Sequence, residues 1–352
     1  MGGRELLCKV NRDCLRDILG ESLDVFELNA RPLRGTGDLV GAMRGFIDGL
    51  TPTVIDEVIS RIRNGHFDAI FVDGSNLGEI VSVIKKNFPQ MRIVTFFHNV
   101  ETLFFLGAFK RSRSLRSAAV LVANFLAERK SVRASDAIVV MSEIDSVNLS
   151  RIFGRAADVK CPMALDEYPK PRDVDDGITP PSERYLLFVG GAFYANKAGI
   201  AWFIQHVAPR IQMKTIVVGK GMEFLRDELR PRGNVEIIGG VPSVEKWYSN
   251  AHVAIAPIFD GSGMKTKVAE ALMFGKQIIG TKEAFAGYEG DVAGMGWECD
   301  SADEFVQKIC ELEHTELPRF NQAARAIFNQ NYSFAAARAR LKKIIEDTSP
   351  SE

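Results

Sequence analysis

Short apolar runs alternate with stretches of helical spacing along the whole chain, and the alternation occurs twice. In the first half, residues 24–28, 69–72, 93–97 and 137–141 are apolar runs that end on polar or glycine positions, and 54–63, 77–87 and 115–133 carry helical spacing between them. Strands buried on both faces and separated by helices predict a parallel sheet. The composition then changes: Pro162, Pro169, Pro171, Pro180 and Pro181 accompany the acidic run Asp173-Val174-Asp175-Asp176-Gly177. Such a stretch holds neither a helix nor a central strand, so 166–184 reads as a linker. Beyond it, 185–189, 215–218, 235–238, 253–256 and 277–280 read as strands, and 334–346 as a closing helix rich in Ala, Arg and Lys. The expectation is an α/β protein of two Rossmann-like, doubly wound parallel-sheet domains, 1–165 and 185–330, facing a central cleft. The terminal segment 331–352 is expected to pack back on the first domain. Ligands of such sheets bind beyond the carboxyl ends of the strands. Gly2-Gly3 resembles the glycine loop that follows a first strand, yet no strand precedes it. Either the start lies upstream or another segment fills that slot.

Composition narrows the classes. A chain of 352 residues suits two domains, and 46% hydrophobic with 25% charged residues is the mix of a globular protein. Lys and Arg number 44 against 45 Asp and Glu, which gives no basis for a nucleic-acid partner. No run approaches the roughly 18 apolar residues of a membrane span, and the start lacks an apolar signal core. Five scattered cysteines without a CxxC pair suggest a reduced, cytoplasmic compartment. The exception to charge balance is 110–133, where seven cations face one acid, Glu128, with Leu115, Val120, Leu121, Phe125 and Leu126 interleaved. Two readings stay open: a solvated helix face, or a peripheral contact with an anionic inner membrane surface or a lipid-linked acceptor.

The strongest chemical signal is Pro257-Ile258-Phe259-Asp260-Gly261-Ser262-Gly263-Met264-Lys265, between a strand and a helix expected to start near Met264. Gly261 and Gly263 let backbone approach an anion, the helix start offers free N–H groups, and Lys265 adds a charge, a combination suited to a diphosphate. Glu270 lies off the apolar stripe of that helix, amid Ala269, Met273 and Phe274; ribose hydroxyls would satisfy its carboxylate, and an i, i+3 pair with Lys267 is the plainer alternative. A second strand–turn–helix, at Gly190-Gly191 through Asn196-Lys197, could touch phosphate with Asn196 as helix cap. Val218-Gly219-Lys220-Gly221 lacks the third glycine of a dinucleotide fingerprint, because Phe224 stands there. In the first half, His98-Asn99-Val100-Glu101 closes a strand at its carboxyl end, making His98 and Glu101 candidates for proton transfer. The other histidines show no metal spacing, so no metal site is expected.

The order of these motifs, from Gly190–Lys197 through 235–241 to Pro257–Gly275 and Thr281, resembles the C-terminal domain of GT-B glycosyltransferases, most closely glycosyltransferase family 4. His98-Asn99-Val100-Glu101 and Val139-Val140-Met141-Ser142 resemble that family's N-terminal domain. The resemblance implies a nucleotide-sugar donor held mainly by the second domain, retention at the anomeric carbon, and no required metal or other cofactor. By position, Glu270 resembles the second glutamate of the family's E-x7-E motif, Lys265 the basic residue on the diphosphate, and His98 a histidine near the transferred sugar. Ser262 stands where the first glutamate is expected, with Asp260 as the alternative carboxylate, and the usual arginine–lysine pair is reduced to Asn196-Lys197.

The expected function is therefore a metal-independent, retaining hexosyltransferase acting on polysaccharide or glycolipid precursors. The expected catalytic residues are His98, Glu101 and Asp260. Gly190, Gly191, Lys197, Gly261, Ser262, Gly263, Met264, Lys265 and Glu270 are expected to hold the donor. Two rivals remain: a nucleotide-sugar epimerase of the same fold, and a non-catalytic nucleotide-sugar-binding subunit.

Overall fold

The computed structural model describes residues 3–29, 36–167, 179–229, 234–261, 263–288 and 292–346. It divides into two units, Met1–Pro162 with Ala337–Glu352, and Met163–Ala336. Of the expected linker, 168–178 lie outside the described residues.

The first unit carries helices α1 (Gly3–Leu19), α2 (Thr36–Met43) and α3 (Pro52–Asn64) before its sheet begins. Strands β1 (Ala69–Asp73), β2 (Arg92–Phe97), β3 (Ala137–Val140) and β4 (Val159–Lys160) then alternate with α4 (Gly78–Asn87), α5 (Glu101–Ser112), α6 (Leu115–Ala134) and α7 (Glu143–Phe153). All neighbours pair in parallel, in the order β1-β2-β3-β4. Helices on both faces explain why Phe96, Phe97, Ile138, Val139 and Val140 have no exposed surface. Local chemistry sets several helix starts. Thr51 accepts from Val54 N at 3.2 Å with Pro52 at the first helical position of α3, and Ser114 and Ser117 form a capping box at α6. Each such cap is worth about 1 kcal/mol.

The segment 24–28, expected as a strand, has no regular secondary structure and pairs with nothing in the sheet. It lies half-exposed, with the Arg61 guanidinium 5.8 Å from the Phe26 ring and Leu28 packed on the core beneath α3 and α4. Its apolar residues cover a surface instead of entering the sheet. Gly3 opens a helix whose Leu7, Val10, Cys14 and Leu15 are buried on one stripe.

The second unit has strands β5 (Tyr185–Val189), β6 (Lys214–Val218), β7 (Val235–Gly239), β8 (Val253–Ala256), β9 (Ile278–Gly280) and β10 (Gly296–Glu298). They alternate with α8 (Tyr194–His206), α9 (Leu225–Leu229), α10 (Glu245–Asn250), α11 (Thr266–Met273) and α12 (Val292–Met295), and α13 (Ala302–Glu313) and α14 (Gln322–Asn331) follow. The strand order is β10-β9-β8-β5-β6-β7, all parallel. From β5 the chain runs to β6 and β7 on one side, then returns to β8 beside β5 and runs on to β9 and β10 on the other. The reversal between β5 and β8 is a topological switch point, where helices diverge and leave a crevice at the carboxyl ends. The last helix, α15 (Phe334–Glu346), belongs to the first unit from Ala337 onward. Just before it, Leu165 N donates to Tyr332 O and Phe334 N to Leu165 O, so the chain enters and leaves the second unit at adjacent points.

Candidate functional site

At the switch point the exits of β5 and β8 are joined by side chains. The Asn196 amide donates to Gly191 O at 2.9 Å, and its Oδ1 accepts from Lys267 Nζ at 2.8 Å. The helix α8 starts two residues before Asn196, which is therefore not its cap, as expected, but a bridge from the first turn to the β5 turn and to α11. Lys267 Nζ also sits 5.4 Å above the Phe188 ring. Burial holds this ammonium down at about 8; Glu270 opposes the shift and Lys265 adds to it. An ammonium disfavoured by burial gains strongly from an incoming anion. Glu270 is half-buried, and the Tyr248 hydroxyl donates to its Oε2 at 3.4 Å while the Tyr248 ring stacks on Phe274.

Close backbone packing makes room for this cluster. A Cβ on Gly219 would stand 1.9 Å from Gly190 O, and one on Gly199 equally close to Pro257 O, so the β6 exit abuts the β5 turn and α8 lies on the β8 exit. Beyond β8 the chain needs Gly263 at φ +67°, in the left-handed region that favours glycine. Met264 is buried, and α11 starts at Thr266, two residues later than expected, with Lys265 as an N-cap that supplies no side-chain bond. The Tyr288 hydroxyl holds that end instead. It donates to Lys265 O at 2.8 Å and accepts from Ala269 N at 3.0 Å, filling the place of the first i→i−4 bond.

Lys265 is brought to the helix start as expected, but its ammonium is bonded to Gly263 O at 2.8 Å and to Glu283 at 2.6 Å. Lys197 is exposed on α8. Asp260 is exposed, accepts from Gly261 N at 2.7 Å, and lines an apolar pocket of about 350 Å³ with Tyr194, Trp202 and Phe259. Ser262 lies outside the described residues. Gly190, Gly191, Lys267 and Glu270 thus form the described cluster. In the sequence Lys267 reads only as a partner of Glu270; its signal is a lysine on the first turn after a glycine loop.

In the first unit, His98 closes β2 and is nine-tenths buried. Its Nε2 lies 2.6 Å from Asp73 Oδ1 at the end of β1, and the ring stands edge-on to Phe96. Asn11 of α1 donates to the same Asp73 oxygen at 3.0 Å, and Cys8 Sγ is 3.9 Å from His98 Nε2. Burial pushes the Asp73 carboxyl up, yet the charge of His98 and the hydrogen bonds from His98, Asn11 and Cys8 outweigh it and hold the group below its ordinary value. An ionised Asp73 makes Nε2–H the donor and leaves Nδ1 facing outward from that pair. Nδ1 is buried without a hydrogen-bond partner among the described residues, which costs about 1–3 kcal/mol unless a ligand satisfies it. Glu101 is half-buried, and its backbone N–H is bonded to Glu128.

The ligand atoms of Cys8, Asp73 and His98 lie within 4.8 Å of one another, which makes them the group of described residues able to hold a metal ion. Asp73, at the end of an apolar run, escaped the sequence reading, as did Cys8 and Asn11 of α1. The charge of 110–133 is also differently disposed. Glu128 is fully buried and Lys130 pairs with Glu79, so only Lys110, Arg111, Arg113 and Arg116 gather at the α5–α6 corner, around a 93% exposed Leu115. Among the described residues no helix is long and apolar enough to cross a membrane.

The two parallel-sheet α/β units have the GT-B fold. Residues 183–314, most of the second unit, match the model of the family described as Glycosyl transferases group 1. No curated relative matches the sequence. In structure the chain is similar to the sucrose-phosphate synthase of Thermosynechococcus elongatus (TM-score 0.74, 15% identity, covering 98% of this chain and 93% of that one). It is also similar to Anabaena HepE in complex with UDP and glucose (0.65, 13%, 98% and 96%). A third likeness is to an α,α-trehalose-phosphate synthase (UDP-forming) from Burkholderia xenovorans in complex with glucose-6-phosphate (0.57, 14%, 89% and 78%). At these identities the likeness is one of fold.

Proposed function

We propose that the chain is a retaining glycosyltransferase that moves a hexosyl group from a nucleoside-diphosphate donor to a saccharide or lipid-linked acceptor, without a metal. The observation that carries this reading is the cluster at the β5/β8 switch point, where the Lys267 ammonium, the Gly190-Gly191 turn and the Glu270 carboxylate converge beside a helix start that lacks a side-chain cap. The ammonium and the first N–H groups of α11 suit a diphosphate. They also suit the charge that grows on it as the sugar leaves, because donors fixed beforehand need no reorganisation at that moment. Glu270, already facing one hydroxyl, suits a ribose diol. His98, its ring oriented by Asp73, offers Nδ1 to a hydroxyl of the transferred sugar. The match to a glycosyl transferase family and the UDP and sugar ligands of HepE and the Burkholderia synthase support the reading.

A thermal-shift screen against UDP-, GDP- and ADP-sugars tests the donor site, since a ligand of the native state raises apparent stability. One saturable donor is expected, bound more weakly by Glu270→Ala and Lys267→Met. Release of nucleoside diphosphate on addition of an acceptor, with the anomeric configuration kept by NMR, completes the test. Inversion removes retention; interconversion of the sugar without an acceptor makes the protein an epimerase; binding without turnover makes it a non-catalytic subunit.

The α5–α6 corner favours an acceptor at an anionic membrane surface on the cytoplasmic side. Four exposed cations lie within five residues of an exposed leucine, a pattern suited to acidic headgroups with one apolar anchor. Co-sedimentation with phosphatidylglycerol-containing vesicles and not with pure phosphatidylcholine is expected, weakened by Leu115→Asp; equal recovery with both removes the contact.

A further inference from the structure

Glu128 has no exposed surface although its sequence neighbours are basic. Both of its oxygens are occupied. Oε1 accepts from Ser75 Oγ and from Glu101 N, each at 2.8 Å, and Oε2 from Thr102 N at 2.8 Å and Thr102 Oγ1 at 2.5 Å. Glu101 and Thr102 are the first residues of α5, whose N-cap residue Val100 supplies no side-chain bond. The carboxylate of a different helix therefore meets the positive end of α5. Burial pushes the Glu128 carboxyl up, and these four hydrogen bonds oppose the shift.

The same helix face grips the turn after β1. Ser131 Oγ donates to Ser75 O at 2.7 Å, and a Cβ on Gly78 would stand 1.9 Å from Ala127 O. Ser75 follows Asp73 by two residues, and Glu101 follows His98 by three. One carboxylate thus joins the two strand exits that bring Asp73 Oδ1 within 2.6 Å of His98 Nε2.

We infer that Glu128 is a positioning residue. By clamping the exits of β1 and β2 to α6, it fixes the spacing of the Asp73–His98 pair and so the direction in which His98 presents Nδ1. It does not touch substrate. The kinetic consequence rests on the reading of His98 as a sugar contact, whereas the spacing does not.

The test uses the full chain with Glu128→Gln, which keeps the shape and turns an amide NH2 toward the donors. The readout is the NMR signal of the His98 Nε2 proton, which the 2.6 Å bond to Asp73 Oδ1 should hold downfield, assigned by its loss in Asp73→Asn. Release of the clamp is expected to move that signal upfield or to broaden it away by exchange with water, as the bond lengthens. A folded variant with an unmoved signal makes Glu128 a stabilising cap only and overturns the inference. Thr102→Val, which deletes one donor at constant shape, serves if Glu128→Gln does not fold; a smaller upfield move is expected, and none overturns the inference. In turnover assays Glu128→Gln should lose roughly tenfold to a hundredfold in kcat, with donor KM within about twofold of wild type because the donor cluster lies in the other unit. A moved signal with unchanged kcat leaves the positioning intact and removes His98 from the chemistry.

Discussion

Lys267 offers the sharpest test of the donor site, because its charge is the property that binding needs and burial has made that charge fragile. Its ammonium is held down at about 8, against an ordinary value of 10.5. A donor diphosphate requires the protonated form, so affinity should be flat below about pH 7 and weaken as pH rises through 8. A nucleotide sugar is the right probe, because its phosphodiesters do not titrate in this range, whereas a terminal phosphate does, near pH 6. A charge-assisted hydrogen bond is worth about 1.5–3 kcal/mol, so Lys267→Met should weaken binding by roughly tenfold to a hundredfold. Calorimetry at pH 8.5 in two buffers of different ionisation enthalpy should also show proton uptake by the wild type, since the bound anion raises the lysine's value. The variant should show neither the uptake nor the weakening through pH 8. Unchanged affinity in Lys267→Met, or a pH dependence that survives the substitution, refutes Lys267 as the diphosphate cation and returns the role to Lys265.

Gly219→Ala places a methyl 1.9 Å from Gly190 O, and the shift it forces should cost about 1–3 kcal/mol in urea denaturation and weaken donor binding together. Lys276 is 1% exposed and donates to Ser249 O, Ala251 O and Arg319 O; Lys276→Met should lose about 3 kcal/mol, since the buried carbonyls keep no donor. Burial holds Lys276 at about 8, so between there and 10.5 the unfolded chain binds more protons than the native one, and the contribution of this lysine to stability should rise with pH across that window, a rise absent in Lys276→Met. Chelation should leave transfer unchanged; a loss restored by zinc and absent in Cys8→Ser would place a required metal at Cys8, Asp73 and His98.

What the sequence disclosed follows from which forces are local. The strands of the second unit were legible because fully buried parallel strands are short apolar runs, and β5, β6, β7 and β8 have almost no exposed residues. The run 24–28 looks the same in sequence and never pairs, because apolar content reports burial and not hydrogen-bond partners. Helix α1 had a usable signal in Leu7, Val10, Cys14 and Leu15, which was hidden by the likeness of Gly2-Gly3 to a loop. In the candidate cluster, Glu270 and the glycines are legible in the sequence through their spacing. Asp73, Lys267 and Glu128 are not, because their roles depend on residues 25, 71 and 53 positions away, His98, Asn196 and Ser75.

The helix starts show why that distance matters. Helices α3, α6 and α13 begin on a Thr or Ser whose side chain bonds their first turn, a device visible in sequence. Helices α8 and α11, which leave the switch point, have Phe193 and Lys265 in that position and no such bond. A local cap would occupy the N–H groups that an anionic ligand needs, so a helix that binds phosphate gains from leaving them open and from being held elsewhere. For α11 the holding group is the Tyr288 hydroxyl, one turn in. For α5, which follows His98, the carboxylate of Glu128 takes the first two N–H groups itself. In the second unit the N-cap residue of α11 therefore supplies no side-chain bond beside Lys267, while in the first the start of α5 is taken by Glu128. That asymmetry is the physical reason to propose the second unit for the diphosphate and the first for the sugar contact.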